Sequence, residues 1–528
     1  MINDTTRTDW PHKIGIVLIC AIAFFISFGE WQQLIGPWFS VPKLALPILF
    51  VLALASRAHW PRPMLETGIF ALFVVACLAS FLVHGISLHP GMTNLVGYVI
   101  LIPVVGALVR NTVDIERIML ALLAGITLIS ILTLNAVVTG FDAGSLFGKP
   151  MTEMVFGVPR IFGTEQNPNA YAVYSCIGMI LSVYAIIRAR NGLLRTAAVL
   201  AGLAILAVLF LSASRSAAVG AAVGITVFLV IYVRGVGAKT ACLGLGAVCV
   251  VAGIMLPTFV ANTSDLIFKS FYLDRIASRV HAEIEEMKSD LTVHIETLEA
   301  SASEADPEAQ AELAQKRDDL ERLSDNAAVE KIVENAVVYS RAAPSAEISS
   351  SELLTDKMLA DLSEKEVRDA SLMVADKVQA AENRLEILIY SARLIAMHPI
   401  FGVGFLNARK AFVSADLPVD NAVHNTYVSV AVEFGLPAAA LFVAALVLLA
   451  YRLLRSAMII PESARSSRQV VILMPATLIG YMVHGTFHDS YMNVLLWLVI
   501  ALSITWLGWL RAPGEHATEG SLRRAPAR

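Results

Sequence analysis

The chain has 528 residues, of which 56% are hydrophobic and only 16% charged, and its mean hydropathy is +0.67. Soluble domains carry charge on about a quarter of their residues, so this balance excludes an ordinary soluble protein and indicates a polytopic membrane protein. The net charge of −4 conceals a division: Asp274 to Asn383 holds 26 acidic and 12 basic residues, and the remainder holds 18 acidic and 28 basic.

Twelve apolar segments are long enough, or nearly so, to cross a bilayer as helices. They lie near 13–29, 42–56, 65–83, 93–109, 117–138, 169–187, 194–212, 216–233, 240–260, 431–451, 469–486 and 492–510. The first follows a stretch with Asp4, Arg7, Asp9 and Lys13 and no small-residue cleavage site, so it reads as a retained helix. The second is short and contains Pro42 and Pro47. All five cysteines fall inside apolar segments, which argues for packing rather than disulfides or a thiolate metal site.

Basic residues in the short loops set the orientation. Arg57, Arg62, Arg110, Arg117, Arg188, Arg190, Arg195, Arg234, Lys239, Arg452, Arg455, Arg465, Arg468 and the C-terminal arginines all fall on one side if both termini are cytoplasmic. The opposite short loops, near 30–41, 84–92 and 487–491, carry only acidic residues, histidines or no charge, with Lys43 a minor exception. The expected organisation is an all-α polytopic bundle of about twelve membrane helices. Residues 1–262 carry spans 1–9, and 263–397 form an acidic, extracytoplasmic helical insertion. Residues 398–511 carry an extracytoplasmic motif and spans 10–12, and 512–528 a disordered cytoplasmic tail.

Within the insertion, Ile276, Val280, Ile284, Met287, Leu291, Ile295 and Leu298 form one apolar helical stripe. A break near Asp306-Pro307 precedes a second stripe of Leu313, Leu320, Leu323, Val329 and Ile332. A self-paired helical hairpin satisfies both. Its charged face is ordinary solvated surface, or else a docking arm for a protein partner.

Three polar signals fall on the same extracytoplasmic side. Arg160 precedes Asn167-Pro168-Asn169, where Asn169 can cap the sixth span. Arg215 sits in the tight turn Ser212-Ala213-Ser214-Arg215-Ser216, against the positive-inside trend, and needs an anionic partner at the edge of hydrocarbon. His424 precedes Asn425, Thr426 and Tyr427, and an imidazole can take a hydroxyl proton near neutral pH. Asp420 or Asp489 can orient it. Arg384, Arg393 and Arg409 flank His398-Pro399-Ile400-Phe401-Gly402-Val403-Gly404, whose glycines suggest close backbone approach rather than a phosphate loop.

The ordered set R-x-x-G-T-x-x-N-P-N (Arg160–Asn169), S-x-S-R-S, H-P-x-x-G-x-G and H-N-x-Y-x-x-x-x-x-E-x-G (His424–Gly435) resembles the O-antigen ligase superfamily. That superfamily comprises lipopolysaccharide O-antigen ligases and related polysaccharide polymerases. The resemblance covers roughly residues 90 to 510. It implies an inverting, metal-independent glycosyltransferase without cofactor, in the bacterial inner membrane with its large loop periplasmic. The implied donor is an undecaprenyl-diphosphate-linked glycan, and the acceptor is lipid A–core or a growing polysaccharide. It maps diphosphate binding onto Arg160, Arg215 and Arg384 and the catalytic base onto His424, with Asn169, Asn425, Tyr427 and Asp489 in support. The long acidic insertion departs from the family pattern. The competing readings are a transporter or flippase of a lipid-linked sugar, and an assembly scaffold built on the acidic hairpin. Nothing in the sequence points to nucleic acid.

Overall fold

The computed structural model describes residues 10–29, 41–56, 64–84, 90–144, 151–268, 387–410, 423–460, 465–488 and 491–511, apart from 156–157, 162, 166–167, 213, 234, 406 and 409. It also describes scattered helical residues between 285 and 317. The chain divides into two compact units. The first comprises Met1–Thr152, Ile161–Pro257 and Glu382–Arg528, and the second Glu153–Arg160 and Thr258–Ala381.

Helices occupy all twelve segments that hydropathy marks. They are α1 (Trp10–Ile26), α2 (Val41–Ala55), α3 (Leu65–His84), α4 (Pro90–Leu108), α5 (Thr112–Thr139), α6 (Pro168–Arg188), α7 (Gly192–Leu211), α8 (Arg215–Tyr232) and α9 (Val236–Phe268). After α10 (Ile387–Met397) come α11 (Thr426–Phe434), α12 (Leu436–Ile459), α13 (Arg465–Gly485) and α14 (Val494–Arg511). Among the described residues, seven helices are long and apolar enough to cross a membrane: α3, α5, α6, α7, α8, α9 and α12. Among the described residues, a small two-stranded ribbon, β1 (Thr152–Val155) and β2 (Val158–Ile161), interrupts the helices.

Burial separates central from peripheral helices in the first unit. α14 is buried on every side from Leu495 to Thr505, as an apolar helix at the middle of a bundle must be. Along α7, by contrast, Leu193, Leu200 and Leu203 are exposed, and along α9 so are Leu245, Val248 and Val251. These are faces for lipid.

The most extensive helix crossing joins α8 to α13. Gly220 and Gly224 lie one turn apart on α8, and Ala476, Gly480 and His484 follow at the same spacing on α13. A Cβ on Gly220 would stand 2.7 Å from the Gly480 carbonyl oxygen, and one on Gly224 would stand 2.9 Å from that of Ala476. Small residues let the two backbones touch, which is the main source of helix attraction where lipid and side chains are equally apolar. Because the pairs run 220 with 480 and 224 with 476, the helices are antiparallel, and the start of α8 meets the end of α13.

Ion pairs join other helices of the first unit. Arg452 Nη1 lies 2.7 Å from Oε1 of the fully buried Glu66, and Arg188 Nε lies 2.8 Å from Glu116 Oε1. His12 Nδ1 lies 2.8 Å from the Leu108 carbonyl oxygen. Arginines counted above for orientation thus also neutralise acids.

In the second unit, Lys288 pairs with Glu285 at 2.6 Å across one turn. Ile295 is buried while Val293 is exposed, as the first apolar stripe requires. The rest of the expected hairpin and the 512–528 tail lie outside the described residues.

Gly220→Leu is expected to lower the thermal stability of the detergent-purified protein by about 1–3 kcal/mol, because the new side chain meets backbone. Gly244→Leu faces open space and is expected to leave the melting temperature unchanged. Equal melting curves for the two variants would contradict the crossing.

Candidate functional site

α11 begins where its sequence can cap it. Asn425 has extended backbone, and its Oδ1 accepts hydrogen bonds from the Tyr427 and Val428 amides at 3.0 and 3.1 Å. Three consecutive side chains then fasten this start to the end of α13. Asn425 Nδ2 donates to the Thr486 carbonyl at 2.9 Å, Thr426 Oγ1 to that of His488 at 2.7 Å, and the Tyr427 hydroxyl to that of Met482 at 2.8 Å. Asn425 and Tyr427 therefore fix the start of α11 against the end of α13. His424, immediately before them, has φ 52°, and no other non-glycine residue among those described has positive φ. Such backbone costs energy and persists only where its surroundings enforce it.

The tenth expected span, 431–451, needs correction. The helix breaks at Gly435 (φ 88°), so the long helix α12 starts at Leu436. Hydropathy passes through the glycine unchanged, whereas the backbone turns there. The 398–404 loop closes the break. The Val403 amide donates to the Val432 carbonyl at 2.8 Å, Gly404 to Glu433 at 3.0 Å, and Leu436 to Pro399 at 2.8 Å. A Cβ on Gly435 would stand 2.2 Å from the Ile400 carbonyl oxygen, and one on Gly402 would stand 2.5 Å from that of Val432. From α3, Ser80 Oγ donates to the Phe401 carbonyl at 2.6 Å and His84 Nε2 lies 3.0 Å from that of Gly402. The H-P-x-x-G-x-G glycines thus serve backbone-to-backbone packing. Glu433, in the same motif as His424, accepts a 2.5 Å hydrogen bond from the Tyr491 hydroxyl.

A row of histidines leads from His424 toward α8. The His424 and His488 rings stack with centroids 6.4 Å apart, and those of His488 and His484 lie 5.5 Å apart. His484 is fully buried, and the Ser216 backbone faces its ring. That approach falls short of hydrogen-bond geometry, and neither His484 ring nitrogen has a hydrogen-bond partner among the described residues. Ser216 neighbours Arg215, the exposed first residue of α8, and Ser214 Oγ lies 3.1 Å from Ser216 Oγ. Burial, then the nearby His424, pushes the His488 imidazole down to about 4. It is neutral at neutral pH and adds no positive charge beside His424. His484 carries no local sequence signal of its own; the small-residue spacing on α8 and α13 is what could have found it.

The first motif folds into a turn against α1. Gly163 has φ 60°, and its amide donates to the Met151 carbonyl at 2.9 Å. Thr164 Oγ1 donates to the Ser27 carbonyl at 2.6 Å. Tyr174 donates to Glu165 at 3.1 Å and accepts from Asn493 at 3.3 Å. α6 starts at Pro168, which puts Asn169 in the first turn rather than at the cap, because proline's fixed φ suits the first helical position. Arg160 lies in β2, in the second unit, and its side chain is outside the described residues, as are Asn167, Arg384, Arg409, Asp420 and Asp489. An apolar cavity of about 340 Å³ opens between α1, α2, α4 and α14, lined by Ile22, Leu46 and Tyr98 with Lys43 and Asn94.

Asn425→Ala removes the cap and the tie to Thr486, and is expected to lower stability by about 1–2 kcal/mol. Asn425→Asp keeps the acceptor and should recover part of that loss in the same thermal assay. His488 gives a pH test. An unfolded histidine titrates near 6.5 and the folded one near 4, so between these values the unfolded chain binds the extra proton. This contribution is fully present above pH 6.5 and is lost as pH falls toward 4. His488→Gln should flatten the decline in melting temperature over that window, and an unchanged slope would remove His488 as its source.

Residues 198–443 match the family model described as O-antigen ligase. The match contains α8 with Arg215, the 398–404 loop, His424 and α11. No curated protein matches the chain. The match spans just under half of the chain and agrees with the ordered motifs, so this part of the chain is similar to the O-antigen ligase family.

Proposed function

We propose that the protein is a membrane glycosyltransferase that moves an undecaprenyl-diphosphate-linked glycan onto an acceptor sugar hydroxyl at the outer face of the bacterial inner membrane. The observation that carries this reading is His424. It sits in left-handed backbone, is tied through its successors to α13, and joins through His488 and His484 to the helix start that bears Arg215.

In this reading His424 takes the proton of the acceptor hydroxyl. The hydroxyl oxygen attacks the anomeric carbon from the face opposite the diphosphate. The carbon–oxygen bond to the diphosphate breaks, its electron pair leaves with the phosphate, and the anomeric configuration inverts. Arg215 stabilises the charge that grows on the leaving diphosphate, with Arg160 and Arg384 as further candidates. Guanidinium suits this task because it stays charged and donates in a fork. The linkage itself supplies the driving force, and the arginines, rather than a metal ion, meet the diphosphate charge. The cavity beside Tyr98 suits a lipid chain entering from the side.

The topology in this reading has twelve spans, both termini cytoplasmic and the acidic insertion periplasmic. Candidate acceptors are lipid A–core, for a ligase, and a growing polysaccharide, for a polymerase. Loss of ligation strands long chains on the carrier, and loss of polymerisation leaves single repeat units.

Reconstituted protein with lipid-linked donor and acceptor tests the assignment. His424→Ala is expected to lower transfer about 10²–10⁴-fold and Arg215→Ala about 10²–10³-fold, both with normal membrane insertion. Arg215→Lys should remain impaired if a forked contact matters. Transport of donor without glycosidic bond formation would favour a flippase instead.

A further inference from the structure

A second lateral groove lies at the basic end of the first unit, between α5, the end of α6 and α7, with a volume of about 690 Å³. Alanines form its floor, among them Ala124, Ala185 and Ala198, so the helices leave a furrow rather than interdigitating. Its rim is apolar and exposed: Leu120 is 41% exposed, Ile131 52% and Leu194 56%.

The mouth is cationic. Arg188 is already neutralised, because its Nε and Nη2 meet both oxygens of Glu116 at 2.8 and 3.4 Å. Arg190 lines the groove and Arg195 lies one turn into α7; both are exposed and neither forms an ion pair among the described residues. Arg195 reaches only the Ala189 carbonyl, at 3.5 Å. From Glu116 to Ile131 the groove follows α5 for about 22 Å. That is shorter than a hydrocarbon core of about 30 Å, so it accommodates one leaflet's chain and a headgroup.

We propose that this groove holds one anionic glycerophospholipid. Its phosphate lies on Arg190 and Arg195, and an acyl chain follows α5 from Leu120 to Ile131. An anionic headgroup fits better than a zwitterionic one, because two guanidiniums are available and the single groove carboxylate, Glu116, is engaged by Arg188 and cannot receive an ammonium. Basic pockets between membrane helices bind acidic lipid headgroups on these terms. The site is separate from the one built around His424: α7 runs for about 30 Å from this mouth to the turn before Arg215. The proposal does not depend on the transferase reading.

The test is native mass spectrometry of the full-length protein released from bilayers containing equal phosphatidylglycerol and phosphatidylethanolamine. Wild type is expected to retain one phosphatidylglycerol with about tenfold preference. Arg190→Ala with Arg195→Ala should abolish the preference, and the corresponding lysine pair should keep most of it. Ala124→Trp, which fills the groove and leaves the arginines intact, should lower occupancy by either lipid. Equal retention of the two lipids by wild type would overturn the proposal. So would undiminished phosphatidylglycerol retention in the alanine pair, or a wild-type dimer that Ala124→Trp converts to monomer, since a second copy would then occupy the groove. If the alanine pair does not fold, the wild-type preference and the Ala124→Trp result still decide.

Discussion

A helix broken at the edge of hydrocarbon must find partners for the backbone groups it frees, since lipid offers none. That demand at Gly435 governs this architecture. The carbonyls of Val432 and Glu433 and the amide of Leu436 all receive partners from the 399–404 loop. Ser80 and His84 hold the loop from α3. Without this closure α11 could not leave the line of α12, and His424 would be carried off along a straight helix instead of turning toward α13.

The two ends of the first unit divide the electrostatic work. One end pairs Arg452 with Glu66 and Arg188 with Glu116, both buried or half-buried acids, and leaves Arg190 and Arg195 exposed. The other end holds histidines beside the exposed Arg215, with His488 kept neutral by burial. Opposite charge at the first end anchors helices; the second sets an exposed guanidinium and a neutral imidazole against the end of α13.

Hydropathy located the twelve apolar helical segments, because a run of apolar residues long enough to cross lipid has few alternative structures. It could not locate the break at Gly435, where apolar residues continue on both sides and only φ changes. The glycines of the 398–404 loop were readable as a close approach, but their partner lies some thirty residues on and is set by tertiary packing. Asn425 was legible as a flanking polar residue, while its bond to Thr486 depends on how α13 ends. His484 was hidden because nothing in its local sequence distinguishes it; its importance follows from the antiparallel pairing of α8 with α13.

That pairing makes α13 a common datum. Its middle touches the backbone of α8 through Gly480 and Ala476, and its last turn and the residues after it anchor Asn425, Thr426 and Tyr427. Arg215 and His424 come from chain positions more than two hundred residues apart, yet each is referenced to the same rod. A displacement of α13 carries both together. The spacing between cation and imidazole is thereby tied to a helix held within the bundle rather than to its lipid-facing surface.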